Sequence, residues 1–277
     1  MQLQKSMIGS GKMIYFTRSA RGYSHIDCGT VCQDFSANYH DDERTIITCC
    51  DGHGGSMYFR SERGSKFASN ALINVLKSVE LSQLKLLSNP DFIEKIRLQI
   101  LCDWNAQVET DLAKHPFTEA ELSRFDEDRQ FTLKLRPEVA YGTTLNAAMI
   151  IDKYIVCVRL GDGGVFLLSK GMGIQAFVDD ENNVANITSS MCQEKAHDYL
   201  DIAVFKLRPY DGVVICTDGL LAPYQSYANF QNCFIKPVWR KFSKGNKTND
   251  IVRFINSLAK KKGIGDDVSV GVILKKG

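Results

Sequence analysis

Apolar residues follow two periods along this chain. Short runs at Met13 to Arg18, Asp34 to Tyr39 and Thr45 to Cys50 read as strands, the last of them rich in β-branched residues. From Ser65 to Lys77 the period changes: Phe67, Ala68, Ala71, Leu72, Val75 and Leu76 fall at helical spacing. Asp91 to Leu112, preceded by Asn89-Pro90, predicts a long amphipathic helix carrying Phe92, Ile93, Ile96, Ile100, Leu101, Trp104 and Val108. Residues 114–138 are charged and irregular, with a short helix around Glu119 to Asp126. Strand character returns at Thr143 to Ile151, Tyr154 to Leu160 and Val165 to Ser169, separated by polar or Gly-rich turns as in an antiparallel meander. Two more strands, Ile202 to Leu207 and Gly212 to Thr217, flank the turn Arg208-Pro209-Tyr210-Asp211. Leu220 to Lys241 and Asn249 to Lys262 read as helices, and Val268 to Leu274 is a last strand.

Strands, long helices, strands, helices, strand: this order lacks regular βαβ alternation. It predicts an α+β fold in which antiparallel sheets are layered against helices. Residues 1–12 are polar and contain Gly and Ser, so a flexible start is expected there, followed by one domain over 13–277. Residues 171–200, centred on Asp179-Asp180-Glu181-Asn182-Asn183, read as a surface insertion.

Composition changes this picture little. The chain has 277 residues, 44% hydrophobic and 24% charged, enough to bury a sizeable core. A formal net charge of +2 gives no support for nucleic-acid or anionic-membrane binding, and Lys260-Lys261-Lys262 reads as a solvated helix end. No apolar run approaches the ~18 residues of a membrane span. Nine cysteines, several inside strand-like runs (Cys49, Cys50, Cys157, Cys216), suit reduced, buried thiols. With no secretory signal in the sequence, a cytoplasmic location is expected. Cys28 and Cys32 lack the second pair that a zinc site needs.

The candidate chemistry lies at strand ends. Thr45 to Cys50 runs into Asp51-Gly52-His53-Gly54-Gly55, Val213 to Thr217 runs into Asp218-Gly219, and Gly265-Asp266-Asp267 opens the last strand. Acids delivered by three strands to Gly-marked ends suggest carboxylates converging on hard divalent cations such as Mg²⁺ or Mn²⁺. Clustered carboxylates repel one another, and a multivalent cation makes such a cluster tolerable.

Five segments, Asp51-Gly52-His53-Gly54-Gly55, Gly142-Thr143-Thr144, Leu160-Gly161-Asp162, Thr217-Asp218-Gly219-Leu220 and Asp266-Asp267-Val268-Ser269-Val270, occur in the order found in type 2C metal-dependent protein phosphatases. Together with Cys32-Gln33-Asp34 they make the chain resemble that family, in a compact bacterial form, from about Gly22 to Leu274. The resemblance implies a β-sandwich of two antiparallel sheets flanked by helices, with two Mn²⁺ or Mg²⁺ ions at one end. By motif, Asp51 would bridge both ions and the Gly52 carbonyl would bind one, while Asp218 and Asp266 would hold the other. Asp34 would act through water, with Gln33 where Glu is more familiar and Asp267 where Asn is usual. The implied reaction is hydrolysis of phosphoserine and phosphothreonine in proteins through a metal-bridging water, with Asp51, His53 and Asp218 catalytic. His53 is read either as general acid for the leaving alkoxide or as a hydrogen-bonding support. A phosphorylated protein substrate, a cognate Ser/Thr kinase and a monomeric state complete the expectation, and the 171–200 insertion corresponds to the family's flap beside the site.

The pattern departs from the family in three places. Gly29 stands where a phosphate-binding arginine is common, leaving His25, Arg18 or Arg21 as substitutes by proximity in sequence. Val139-Ala140 stands where an Asp can hold a third metal, which speaks against that ion. Leu221-Ala222 replaces a usual Trp-Asp, a change in packing. The missing arginine also leaves open a non-catalytic, phosphatase-fold binding or regulatory module; a phosphatase for small metabolites is a third reading.

Overall fold

The computed structural model describes residues 4–8, 11–86, 89–177, 188–243, 249–259 and 264–275. Lys260 to Lys262 and Asp179 to Asn183 lie outside these residues. In chain order the first elements are β1 (Gln4–Ile8), β2 (Gly11–Ala20), the short α1 (Tyr23–Asp27), β3 (Phe35–His40) and β4 (Arg44–Cys50). Within the first twelve residues, Gln4–Ile8 pairs antiparallel with β2 as a hairpin, Ile8 opposite Gly11. Two long helices follow, α2 (Ser61–Ser78) and α3 (Pro90–Lys114), then the short α4 (Glu119–Leu122) and α5 (Glu127–Leu135). Next come β5 (Leu145–Ile151), β6 (Tyr154–Leu160), β7 (Gly164–Ser169), β8 (Met172–Gln175), β9 (Asp201–Lys206) and β10 (Gly212–Cys216). Helices α6 (Asp218–Leu221), α7 (Tyr227–Phe230), α8 (Lys236–Ser243) and α9 (Asn249–Ser257) precede β11 (Val268–Lys275).

The strands form two antiparallel sheets, β1-β2-β11-β10-β7-β8 and β3-β4-β5-β6-β9. Their facing sides bury Tyr15, Ile47, Cys49, Ala148, Cys157, Val213, Ile215 and Ile273. Helices α2 and α3 cover the outer side of the five-stranded sheet through Ile46, Leu72, Leu76, Ile100 and Trp104. On the other outer side, Phe16, Phe166, Val214 and Val272 meet Phe230, Phe234, Val238 and Ile255. The result is the expected α+β sandwich with helices on both faces. Strand β4 is buried at every residue because both of its faces are covered, and its sequence accordingly shows no regular alternation of apolar and polar positions.

Local chemistry sets most element ends. Asn89 caps α3 by accepting from the Asp91 N–H at 2.9 Å, with Pro90 at the first helical position. The stretch read as one helix from Leu220 to Lys241 is broken after α6, where Pro223 follows, and a π-turn over Gln231–Ile235 leads into α8. Among the described residues no helix is long and apolar enough to cross a membrane.

Candidate active site

The acids gather at one end of the sandwich, each fixed by backbone chemistry. Asp51 follows β4. Its carbonyl accepts from the Thr144 N–H at 2.8 Å and the Thr143 hydroxyl at 2.7 Å, while its own N–H donates to Thr144 Oγ1 at 3.3 Å. The Gly142-Thr143-Thr144 motif is therefore a clamp on the Asp51 backbone. Gly52 donates its N–H to the Gln33 carbonyl at 3.2 Å and forms a bridge with Thr143. A Cβ at this position would lie 2.7 Å from both the Gln33 and Ser61 carbonyl oxygens, so no larger residue fits without moving backbone.

Across the sandwich, β10 is followed by Thr217, whose N–H bonds the Ser269 carbonyl at 3.1 Å and whose Oγ1 accepts from the Ser269 N–H at 2.9 Å. The same hydroxyl donates to Asp34 Oδ2 at 2.9 Å. Asp34 Oδ1 is buried and unpaired among the described residues, and so is Asp218 Oδ1. Burial raises the Asp34 carboxyl to about 8, the Asp267 charge adding to the rise while bonds from Ser269 and Thr217 oppose it. Asp51 is held well above the usual carboxylate range by burial, by Asp34, and by hydrogen bonding and charge from Asp218. Asp266 is raised by burial and by Asp218, against the Asp267 N–H that its Oδ1 accepts at 2.8 Å.

These four acids thus feel one another strongly. Among the described residues no three His, Cys, Asp or Glu side chains form a closed ligand set. The donor chemistry nevertheless fits a hard cation: clustered carboxylate oxygens, two of them buried without hydrogen-bond partners among the described residues. A cleft of 310 Å³ opens beside them, lined by Ser24, His25, Gln33, Asp51, Gly52, Gly54, Ile264 and Asp266.

The three candidate phosphate contacts separate. His25 lines the cleft, its Nδ1 3.0 Å from Asp267 Oδ2 and its Nε2 3.8 Å from Asp266 Oδ1. Arg18 shares the helix-covered face of β2 with Phe16 and Ala20, and its Nη2 donates to Asn256 Oδ1 of α9 at 3.4 Å. Arg21 turns back on α1 to donate to the His25 carbonyl at 3.0 Å. Neither arginine lines the cleft. At Gly29 a side chain would meet open space. The His53 ring packs edge-on against Tyr58, centroids 4.8 Å apart, and burial lowers its pKa against the pull of Asp162 and Asp218.

Three supporting residues carried weak sequence signals. Asp267 is buried and accepts the Gly22 N–H on Oδ1 and the Gln33 N–H on Oδ2, both at 2.6 Å. It ties the chain before the site to the start of β11. Gln33 donates through Nε2 to the His53 carbonyl at 3.0 Å and to Ser61 Oγ at 2.6 Å. Asn146, fully buried, donates weakly to the Cys216 carbonyl at 3.4 Å at the end of β10, next to Thr217. At the far side, Thr188 donates to Asp162 Oδ2 at 2.7 Å and the Met191 N–H to the Thr143 carbonyl at 2.9 Å.

The fold agrees with the comparisons. A protein phosphatase 2C family model matches residues 21–256. Comparison with curated protein sequences gives no significant match. The fold is similar to that of the catalytic domain of the serine/threonine protein phosphatase PstP in complex with two manganese ions (17% identity, TM-score 0.58, 96% of this chain and 99% of that one). It is similar also to Staphylococcus aureus serine/threonine phosphatase Stp1 (16%, 0.58, 100% of each) and to PppA, a regulatory component of T6SS in Pseudomonas aeruginosa (16%, 0.60, 98% and 100%). The family model spans most of the sequence, and the chain belongs to the protein phosphatase 2C family.

Proposed function

We propose that this protein is a Mn²⁺- or Mg²⁺-dependent phosphatase that hydrolyses phosphoserine and phosphothreonine in proteins. The observation that carries this reading is the pair of buried, unpartnered oxygens, Asp34 Oδ1 and Asp218 Oδ1, in a cluster with Asp51 and Asp266. Unpaired buried carboxylates are costly, and a site that concentrates them has a cation as its natural complement. Asp51 and the Gly52 carbonyl would hold one ion, Asp218 and Asp266 the other, with Asp34 in support. Two such ions, when bound, neutralise phosphoryl oxygens and supply a water nucleophile at neutral pH.

The chain's own residues set the stage for that chemistry. Thr143 and Thr144 fix the Asp51 backbone, Thr217 fixes Asp34, and Asp267 holds the Gln33-Asp34 backbone in register. His25, on the cleft wall, is the candidate contact for the substrate phosphate. His53, packed edge-on against Tyr58, is the candidate proton donor for the leaving alkoxide. Phosphoryl transfer relies mainly on positioning and charge neutralisation, which is what such a site offers. The manganese held by PstP supports the choice of metal. The proposed setting is a cytoplasmic monomer paired with a Ser/Thr kinase.

Titrating Mn²⁺ against p-nitrophenyl phosphate and a phosphothreonine peptide tests the reading. Turnover that rises with Mn²⁺ on both supports it. Folded protein that binds Mn²⁺ without turnover is a binding module instead.

A further inference from the structure

Ile264 forms part of the wall of the cleft that also contains Asp51, Gly52 and Asp266, yet it is 58% exposed. A large aliphatic side chain left in water at the mouth of an otherwise polar cleft calls for a partner, since covering it with apolar surface is favourable. The segment that carries it is held firmly to α1. The Ser24 N–H and hydroxyl both donate to the Gly265 carbonyl, at 2.9 and 2.5 Å, and the Gly22 N–H donates to Asp267 at 2.6 Å. Tyr23, beside Ser24, is 50% exposed, and Ile26, on the next turn of the same short helix, is 45% exposed. Three apolar side chains thus ride on one hydrogen-bonded unit that borders the acid cluster.

We propose that Ile264 is a specificity subsite that receives an apolar side chain adjacent to the phosphorylated residue of the substrate. The proposal rests on the phosphatase reading, because it takes the phosphate group to lie at the acids. Its occupant follows from continuity. Ile264 and the acids share a single cleft of 310 Å³, so a peptide whose phosphate reaches Asp51 and Asp266 brings its neighbouring residue onto Ile264. A charged neighbour would lose solvation against Ile264; an apolar one would bury surface on both sides.

The test compares two phosphothreonine peptides, one with Leu on both sides of the phosphothreonine and one with Asn on both sides, together with p-nitrophenyl phosphate. Each is assayed with Mn²⁺ on the wild type and on Ile264→Ser. The wild type should favour the Leu peptide about 5- to 10-fold in kcat/KM, mostly through KM, a modest ratio suited to a half-open apolar contact. In Ile264→Ser the ratio should fall to about 1 by the same comparison, through a higher KM on the Leu peptide, while the melting temperature stays unchanged. No preference in the wild type, or the same preference in Ile264→Ser, overturns the subsite while leaving the phosphatase reading standing. Absence of Mn²⁺-stimulated p-nitrophenyl phosphate turnover overturns both.

Discussion

Replacing Asp267 with Asn tests how the site is held together. The side chain is 3% exposed; Oδ1 accepts the Gly22 N–H at 2.6 Å and Oδ2 accepts the Gln33 N–H at 2.6 Å, with the Asp34 N–H at 3.4 Å. His25 Nδ1 lies 3.0 Å from the same Oδ2. Asn preserves the shape but has a single acceptor, so its NH₂ must face one of the two short backbone donors. A hydrogen bond to a charged acceptor contributes about 1.5–3 kcal/mol, and a buried N–H left facing another donor costs about 1–3 kcal/mol more. Because these overlap, Asp267→Asn should lose about 3 kcal/mol. For a chain of this size that is about 6–12 °C in Tm. Urea unfolding at constant m-value gives the number directly. Mn²⁺ affinity should fall with it, since Gln33 and Asp34 lose their anchor. Resemblance alone argues the opposite, Asn being the family's usual residue here. A variant within about 0.5 kcal/mol of wild type, the range of an inconsequential surface change, would refute the reasoning.

Four other outcomes follow from the same geometry. Asp218→Asn should weaken Mn²⁺ binding, read by calorimetry, and lower turnover by at least roughly two decades. His53→Gln should cost more on a phosphothreonine peptide than on p-nitrophenyl phosphate, whose leaving group needs no proton; equal losses would remove the proton-donor role. Gly64→Ala puts a Cβ 1.8 Å from the Tyr141 carbonyl oxygen, where α2 crosses the segment leading to Gly142, and should destabilise by about 3 kcal/mol in urea unfolding. For Glu121, burial would raise the carboxyl, but the Arg60 guanidinium and Thr118 pull it from 4.5 down to about 2. A depressed folded pKa means stability present above about 4.5 and lost as pH falls toward 2, about 2 kcal/mol after allowing for solvent screening. Glu121→Gln should flatten that acid limb of the stability–pH curve.

Much of the site was legible because its signals are local. A buried strand followed by Asp-Gly announces Asp51 and Asp218 within a few residues, and β4, β6 and β10 lie close to their sequence-read bounds. What escaped depends on contacts between distant segments. Helix α2 begins at Ser61, four residues before its apolar periodicity, because Ser61, Gly64 and Ser65 are small residues packed on Gln33 and Tyr141. Five residues of α1 carry no readable period. Arg18 is near the site in sequence, but strand alternation sends it to the helix-covered face with Phe16. Asp267 read as a swap for Asn, whereas two short bonds from separate segments make its second oxygen essential. The hairpin of β1 and β2 was hidden by a polar composition that lacks a strand's apolar run.

The central claim is that Asp34, Asp51, Gly52, Asp218 and Asp266 together hold a pair of divalent ions. Anomalous diffraction from a crystal soaked in Mn²⁺ measures this directly. Two manganese peaks among these oxygens are predicted, with at least one lost in Asp218→Asn. A map with no manganese peak among these oxygens, in crystals that bind the ion elsewhere, would contradict the account.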